Sequence, residues 1–322
     1  MIVLGSANMD IVVRTTRAPR AGETILGRDY ALYPGGKGAN QAVAASRAGA
    51  NVTFIGCLGR DPYGDSLTQA LIADGIDTSG IIRTATPTGV AIITVETSGE
   101  NRIIVIPGAN HALTEADFPV LTRPGVLLAQ LEIPVPVVLA AAAAHRAAGG
   151  TTILNISPIA GLDAPTLAAL RDAADILLVN ETEAAGLLGL DRLATPQTPA
   201  PETPAFETAA IDLAADRRAA IITLGAEGVV WAATTPTTTT TGHLPRHQVT
   251  TVDTTGCGDA FAGAFAAAIE RGTPIPAAVA IGNAAGALAA TRPGAQPAMP
   301  TEAEITALLT APSPAPRLPP EG

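Results

Sequence analysis

The second half of the chain alternates short, uniformly apolar runs with longer stretches in which small apolar residues recur at helical spacing. VLLAQLE (126–132), TTILNIS (151–157), DILLVN (175–180) and AAIITLG (219–225) read as buried strands. Between them, 136–149 reads as a helix that opens on Pro136 and closes at Gly149, 165–173 as a second, and 181–189 as a third that starts on acidic residues. Repeated strand–helix units predict a mainly parallel sheet covered on both faces. The first half starts in the same way, with strands at 2–4 and 52–58 and helices over 38–50 and 64–74. Two segments break the rhythm: 11–34 and 88–107 carry short β-rich pieces joined by turns and almost no helical pattern.

Three stretches predict surface. Residues 191–208 are Pro/Thr-rich and read as an irregular excursion, 233–243 (ATTPTTTTTGH) as a loose hairpin tip with its threonines in solvent, and 310–322 as a disordered or loosely docked tail.

Candidate chemistry concentrates in 251–272, TVDTTGCGDAFAGAFAAAIERG. Gly256 and Gly258 allow a tight turn with exposed N–H groups, and the following helix spaces Phe261, Phe265 and Ile269 on one face. A helix start with bare amides is an anion site, and Asp259 beside it is either a reactive carboxylate or an ordinary N-cap. Polar residues also follow the first strand, at Gly5, Ser6, Asn8 and Asp10, and Glu132 ends another apolar run. The carboxyl edge of an open α/β sheet is where such folds bind ligands, although turn or capping carboxylates are the alternative for both acids.

A chain of 322 residues can bury a sizeable core. With 15% charged residues and a formal charge of −10 it has no basic footprint for nucleic acid, though a small polyanion needs only a local positive potential. Of its 19 basic residues only Lys37 is a lysine, which singles out GGKGANQ as a place for a compact ammonium on a flexible stem. Cys57 and Cys257 lie far apart and suit free thiols in a reducing compartment. The start MIVLGSANMD reads as a strand and not a signal peptide, and the most apolar region (126–144) is interrupted by Gln130, Glu132 and two prolines, so the cytoplasm is expected and a membrane span is not. GGKGANQ does not satisfy the Walker A pattern, and LGSANMD lacks the glycines of a dinucleotide fingerprint. His111, His145, His243 and His247 show no ligand-like clustering and read as surface or loop residues.

Residues 35–50 (GGKGANQAVAASRAGA) and 253–265 (DTTGCGDAFAGAF) resemble the paired signature regions of the ribokinase-like carbohydrate kinases, the PfkB family. GSANMD, QLEIP, NETE, TLGAEGV and TRPGAQPAMP follow in the order found in that family, so the resemblance spans nearly the whole chain apart from the Pro/Thr-rich segments. It implies a three-layer α/β/α sandwich with a mainly parallel central sheet, in one kinase domain over 1–309, and a small β-sheet lid built from 11–34 and 88–107. Lid closure would exclude water from a phosphoryl donor.

The resemblance also implies roles. Asp259 would be the base, with the amides of Gly256, Cys257, Gly258 and Asp259 as the anion hole. Asn8, Asp10, Gly36, Lys37, Asn40, Glu132 and Asp259 would bind the sugar, with a lid residue near Ile92 against the ring. Asn180, Glu183, Thr223, Gly225, Gly228, Gly258 and Asn283 would bind ATP, Glu183 acting through water on Mg2+, with capping of the helix that begins near Glu181 as the alternative for Asn180. Potassium would be held by Asp253 with carbonyls of Thr255, Ala289, Arg292 and Gly294; Ala298 stands where a serine oxygen is expected, and Asp253 could instead brace its loop. The implied reaction is ATP-dependent phosphorylation of D-ribose at its 5-hydroxyl by a homodimer joined through the lid. Another sugar or nucleoside kinase, or a sugar-binding protein without catalysis, are the alternatives.

Overall fold

The computed structural model describes residues 1–98, 100–118, 124–190 and 203–311. Nine strands form the main sheet, in the order β13-β12-β11-β10-β9-β8-β1-β4-β5. Its central members are β1 (Ile2–Leu4), β4 (Thr53–Gly59), β8 (Val126–Ala129), β9 (Thr151–Asn155), β10 (Ile176–Asn180) and β11 (Ala219–Thr223). All of these pair in parallel, as does the edge strand β5 (Asp77–Thr84) with β4; only β12 (Val229–Thr234) and β13 (Thr239–Leu244) run antiparallel.

Because successive side chains point to opposite faces, each parallel strand feeds two cores. Val126 and Leu128 join the core beneath α1 (Lys37–Arg47), α2 (Pro62–Ala73), α7 (Cys257–Glu270), α8 (Ile275–Ala289) and α9 (Glu302–Thr310). Leu127 and Ala129 join the other, beneath α3 (Val135–Ala147), α4 (Ala164–Ala173), α5 (Glu181–Leu187) and α6 (Thr203–Ala214). The result is the expected three-layer α/β/α sandwich. None of the described helices is long and apolar enough to cross a membrane.

A second, four-stranded sheet is ordered β3-β2-β6-β7, from β2 (Asn8–Thr15), β3 (Asp29–Gly35), β6 (Gly89–Glu96) and β7 (Asn101–Ile106). These are the two segments that broke the strand–helix rhythm. The sheet's outer strand β7 is exposed along its whole length, and Leu26, Tyr30, Ile103 and Ile104 all remain exposed.

The 77–84 segment, to which the sequence assigned no element, is β5, recruited by pairing along β4. Three readings need correction. The excursion assigned to 191–208 stops earlier: 191–202 lie outside the described residues, but α6 begins at Thr203 and Phe206 is 1% exposed in the core. His145 is buried rather than at the surface; its Nε2 lies 3.0 Å from the Gly125 carbonyl, a tertiary partner invisible in its helix. Thr310 ends α9, and the tail from 312 onward lies outside the described residues. The 233–243 hairpin forms as expected, Thr234 pairing with Thr239.

Candidate active site

Strand order reverses at β1, which lies between β8 and β4 and so opens a crevice at the carboxyl ends of the parallel strands. Ser6 follows β1, Glu132 follows β8, Asn155 and Asn180 end β9 and β10, and Thr223 ends β11. The N-terminus of α7 enters this same edge.

Asp259 sits in the first turn of α7, 7% exposed. It is not the N-cap: Gly256 holds that position at φ 75°, and no side chain caps the helix. The Asp259 carboxylate instead turns toward α1, accepting Asn40 Nδ2 on Oδ2 at 2.9 Å and Gln41 Nε2 on Oδ1 at 2.9 Å. Asn40 was expected here from the sequence, whereas Gln41 was not. The one available signal was a polar residue inside an otherwise small-apolar helix. The remaining Asn40 oxygen, Oδ1, is buried with no partner among the described residues, an acceptor left for a ligand hydroxyl.

The α7 start supplies unpaired donors. Among the described residues the Gly258 and Asp259 N–H groups have no acceptor, while Cys257 N–H is drawn to the Thr254 carbonyl at 3.3 Å. Of the implied anion hole, Cys257 is therefore the member whose amide already has a partner. Its thiol, pushed up to about 11 by burial and by Asp253 and Asp259, stays neutral.

Two further carboxylates, Glu132 and Asp10, face this region. Glu132 Oε2 accepts Ser6 Oγ at 2.6 Å and Lys37 N–H at 3.1 Å, which ties the ends of β1 and β8 to the start of α1. Asp10 does not end a main-sheet strand, as its sequence suggested; it lies within lid strand β2, opposite Tyr33 and Ala91. A Cβ on Gly35 would come within 2.2 Å of its carboxylate, so glycine there makes room for it. Among the described residues no donor reaches Asp10, and burial, then Glu132 and Asp259, push its carboxyl up to about 7. Gly36 is equally constrained, with φ 88° and a Cβ position 2.7 Å from Asn8 N. Asn8 is held by Asn110, whose Nδ2 donates to its Oδ1 at 2.7 Å, another residue the sequence did not reveal. The register puts Ile92 on the lid face opposite to Asp10; Ala91 and Ile93 share the face of Asp10.

Lys37 lines a polar cavity of about 140 Å³ with Glu183, Gly256, Gly258 and Asp259. Burial disfavours its charge, but Asp259, Glu132 and Glu183 outweigh that and hold it above the ordinary lysine value, so it is an ammonium. A larger cleft of about 460 Å³ adjoins it, sharing Thr223 and Gly258, and takes in Gly225, Gly228 and Asn283. Arg246 and His247 line that cleft too, unexpected from the sequence. Gly228, at φ 96°, could not carry a Cβ without meeting the Leu244 carbonyl at 2.1 Å. Asn283 Nδ2 donates to the Pro245 carbonyl at 2.9 Å, so its amide braces the cleft wall as well as lining it.

Asn180 and Glu183 cap α5 reciprocally: Asn180 Oδ1 accepts Glu183 N–H at 2.9 Å, and Glu183 Oε2 accepts Asn180 N–H at 2.8 Å. The capping alternative is thus realised, with both side chains still on the cavity wall. Asp253 also braces its loop, accepting Thr255 N–H at 2.9 Å and Gly294 N–H at 2.8 Å. Those bonds outweigh burial and keep its carboxyl below the ordinary value. The Thr255 and Gly294 loops are thereby joined at one ionised carboxylate, and buried Ala298 offers no side-chain oxygen.

The pfkB family carbohydrate kinase model matches residues 1–302. The ribokinase of Haemophilus influenzae is 36% identical over 314 residues, covering 96% of this chain and 98% of its own. The crystal structure of ribokinase from Thermotoga maritima superimposes with a TM-score of 0.84 at 34% identity, over 96% of this chain and 99% of that one. Arabidopsis thaliana ribokinase, solved with ribose and ATP, gives 0.79 at 29% identity, over 97% and 98% of the two chains. Taken with the crevice at the switch point and the carboxylate at the start of α7, these likenesses establish that the chain belongs to the PfkB family of carbohydrate kinases.

Proposed function

We propose that this chain transfers the γ-phosphoryl group of ATP to the 5-hydroxyl of D-ribose, giving D-ribose 5-phosphate and ADP. The observation that carries the reading is the place of Asp259: it faces a polar cavity continuous through Thr223 and Gly258 with the large cleft. The sugar lies on the side of Asn8, Asp10, Gly36, Asn40 and Glu132, and the nucleotide on the side of Thr223, Gly225, Gly228 and Asn283. Asp259 accepts the hydroxyl proton as the sugar oxygen bonds to the γ-phosphorus and the bond to the ADP oxygen breaks. Lys37 and the α7 amides offset charge on the phosphoryl oxygens. Ribose and ATP in the Arabidopsis relative support this choice over a nucleoside acceptor. A coupled ADP assay across ribose, 2-deoxyribose, fructose, ribulose and adenosine tests it; turnover of adenosine with none of ribose would overturn it.

Two ions accompany the reaction in this reading. Among the described residues no cluster of three metal-ligating side chains exists. In this reading Mg2+ would be carried on the nucleotide phosphates, where it would neutralise charge, with Glu183 on the cavity wall ordering water beside it. By the family resemblance, Asp253, an ionised carboxylate tied to the Thr255 and Gly294 loops, would hold potassium together with the carbonyls of Thr255, Ala289, Arg292 and Gly294.

The lid also serves as a dimer face in this proposal. Leu32, Ile92, Ile104 and Ile106 fall on one face by register, opposite to Asp10, and all are exposed. A contiguous apolar face of that kind fits a second copy of the chain.

A further inference from the structure

Gln41 is fully buried, and its amide meets three side chains. Nε2 donates to Asp259 Oδ1 at 2.9 Å and to Asn155 Oδ1 at 2.9 Å, while Oε1 accepts Gln130 Nε2 at 2.6 Å. All three contacts select one orientation. Turned end for end, the amide would set its oxygen against two acceptor oxygens and its nitrogen against the Gln130 donor. Asn155 is itself oriented, its Nδ2 donating to the Leu178 carbonyl at 3.1 Å, which anchors the network in β10.

A buried amide costs more to desolvate than an apolar residue of its size, so its matched partners need a purpose beyond filling space. Two of those partners, Asp259 and Asn155, line the cavity where phosphoryl transfer is placed, and of the two only Asp259 carries a carboxylate that can accept a proton there. Asn40 holds one oxygen of its carboxylate and Gln41 the other, so together they fix the plane of the group. We propose that Gln41 is a positioning residue for Asp259, its own orientation set by Gln130. This rests on the reading of Asp259 as the base. Two amide donors leave the carboxylate oxygens free to accept only along the directions that face the cavity, so the base meets the hydroxyl already aligned.

Steady-state kinetics with D-ribose and MgATP on Gln41→Met and Gln130→Met, each alone and combined with Asp259→Asn, tests the proposal. Gln41→Met should lower kcat roughly 10- to 100-fold, as expected for one lost hydrogen bond to a charged group, with both KM values within about threefold. Gln130→Met keeps the donor but frees its orientation, and should lower kcat roughly 2- to 10-fold. In the Asp259→Asn background neither should lower the residual kcat further. Full kcat in either folded single variant, or an equal loss in both backgrounds, overturns the proposal. If circular dichroism shows Gln41→Met unfolded, the Gln130→Met cycle decides; if both are unfolded, the network is structural and the proposal fails. Full turnover by Asp259→Asn alone would sink the base reading, a result separable from either variant.

Discussion

Gly263 lies so close to α1 that a Cβ on it would stand 2.5 Å from the Gln41 carbonyl oxygen. It sits one turn beyond Asp259 on the same helix face, so this near contact of two backbones brings the α1 amides within reach of the carboxylate. Gly263→Ala must therefore part the helices. Thermal unfolding should show a loss of about 1–3 kcal/mol, accompanied by a lower kcat as the Asn40 and Gln41 bonds lengthen. Unchanged stability and turnover would show that the helices have slack.

Asp259→Asn removes the proton acceptor and keeps size and backbone. Turnover should fall by roughly 10²- to 10⁴-fold, while calorimetry still detects sugar and nucleotide. A variant within about threefold of wild-type turnover would exclude a general-base role.

Burial, then Glu132 and Asp259, push the folded Asp10 carboxyl up to about 7 from its ordinary 3.8. Between those values the folded chain keeps a proton that the unfolded chain has released, so this stability contribution is full below 3.8 and is lost as pH rises through about 7. Asp10→Asn should remove that decline: its ligand-free Tm, relative to wild type, should gain as pH goes from 5 toward 8. Ribose affinity should weaken in the variant and lose the rise through about pH 7 that an ionising acceptor produces in wild type. Parallel Tm curves would place the titration elsewhere.

Potassium in place of sodium, at constant ionic strength and constant MgATP, should raise kcat, and Asp253→Ala should diminish the rise. The Asp253 bonds to Thr255 and Gly294 lie just before the α7 turn, so a cation there would order the donors that meet the phosphoryl group. Ala298→Ser should sharpen the potassium dependence by returning an oxygen. Identical rates in both salts for all three proteins would remove the ion from the reading.

Ile104→Lys places a charge on the exposed lid face, away from Asp10. Sedimentation should give a dimer for the wild type and a monomer for the variant. A wild-type monomer would leave the lid as a cover only.

Local chemistry determined much of this protein. Uniform apolar runs such as 176–179 can be satisfied only in a strand buried on both faces, and Gly256 before an Ala-rich stretch predicts a helix start with bare amides. Asp259 and Glu132 were legible for that reason, each adjoining an element whose period or turn is written in neighbouring residues, whereas Asn40 and Thr223 were carried over as site residues by the family resemblance. Pairings across the chain were left to the tertiary structure. β5 is a strand because β4 offers it an edge, Asp10 belongs to the lid because β2 pairs with β3 and β6, and His145 is buried because Gly125 comes to meet it. Gln41 lies on α1, Asn155 ends β9 and Gln130 follows β8, and a hydrogen bond between side chains 89 or 114 residues apart leaves no mark on the local pattern of any of them. Only the close packing of α1 against α7 over the strand ends decided that Gln41, the centre of that network, reaches the Asp259 carboxylate beside Asn40.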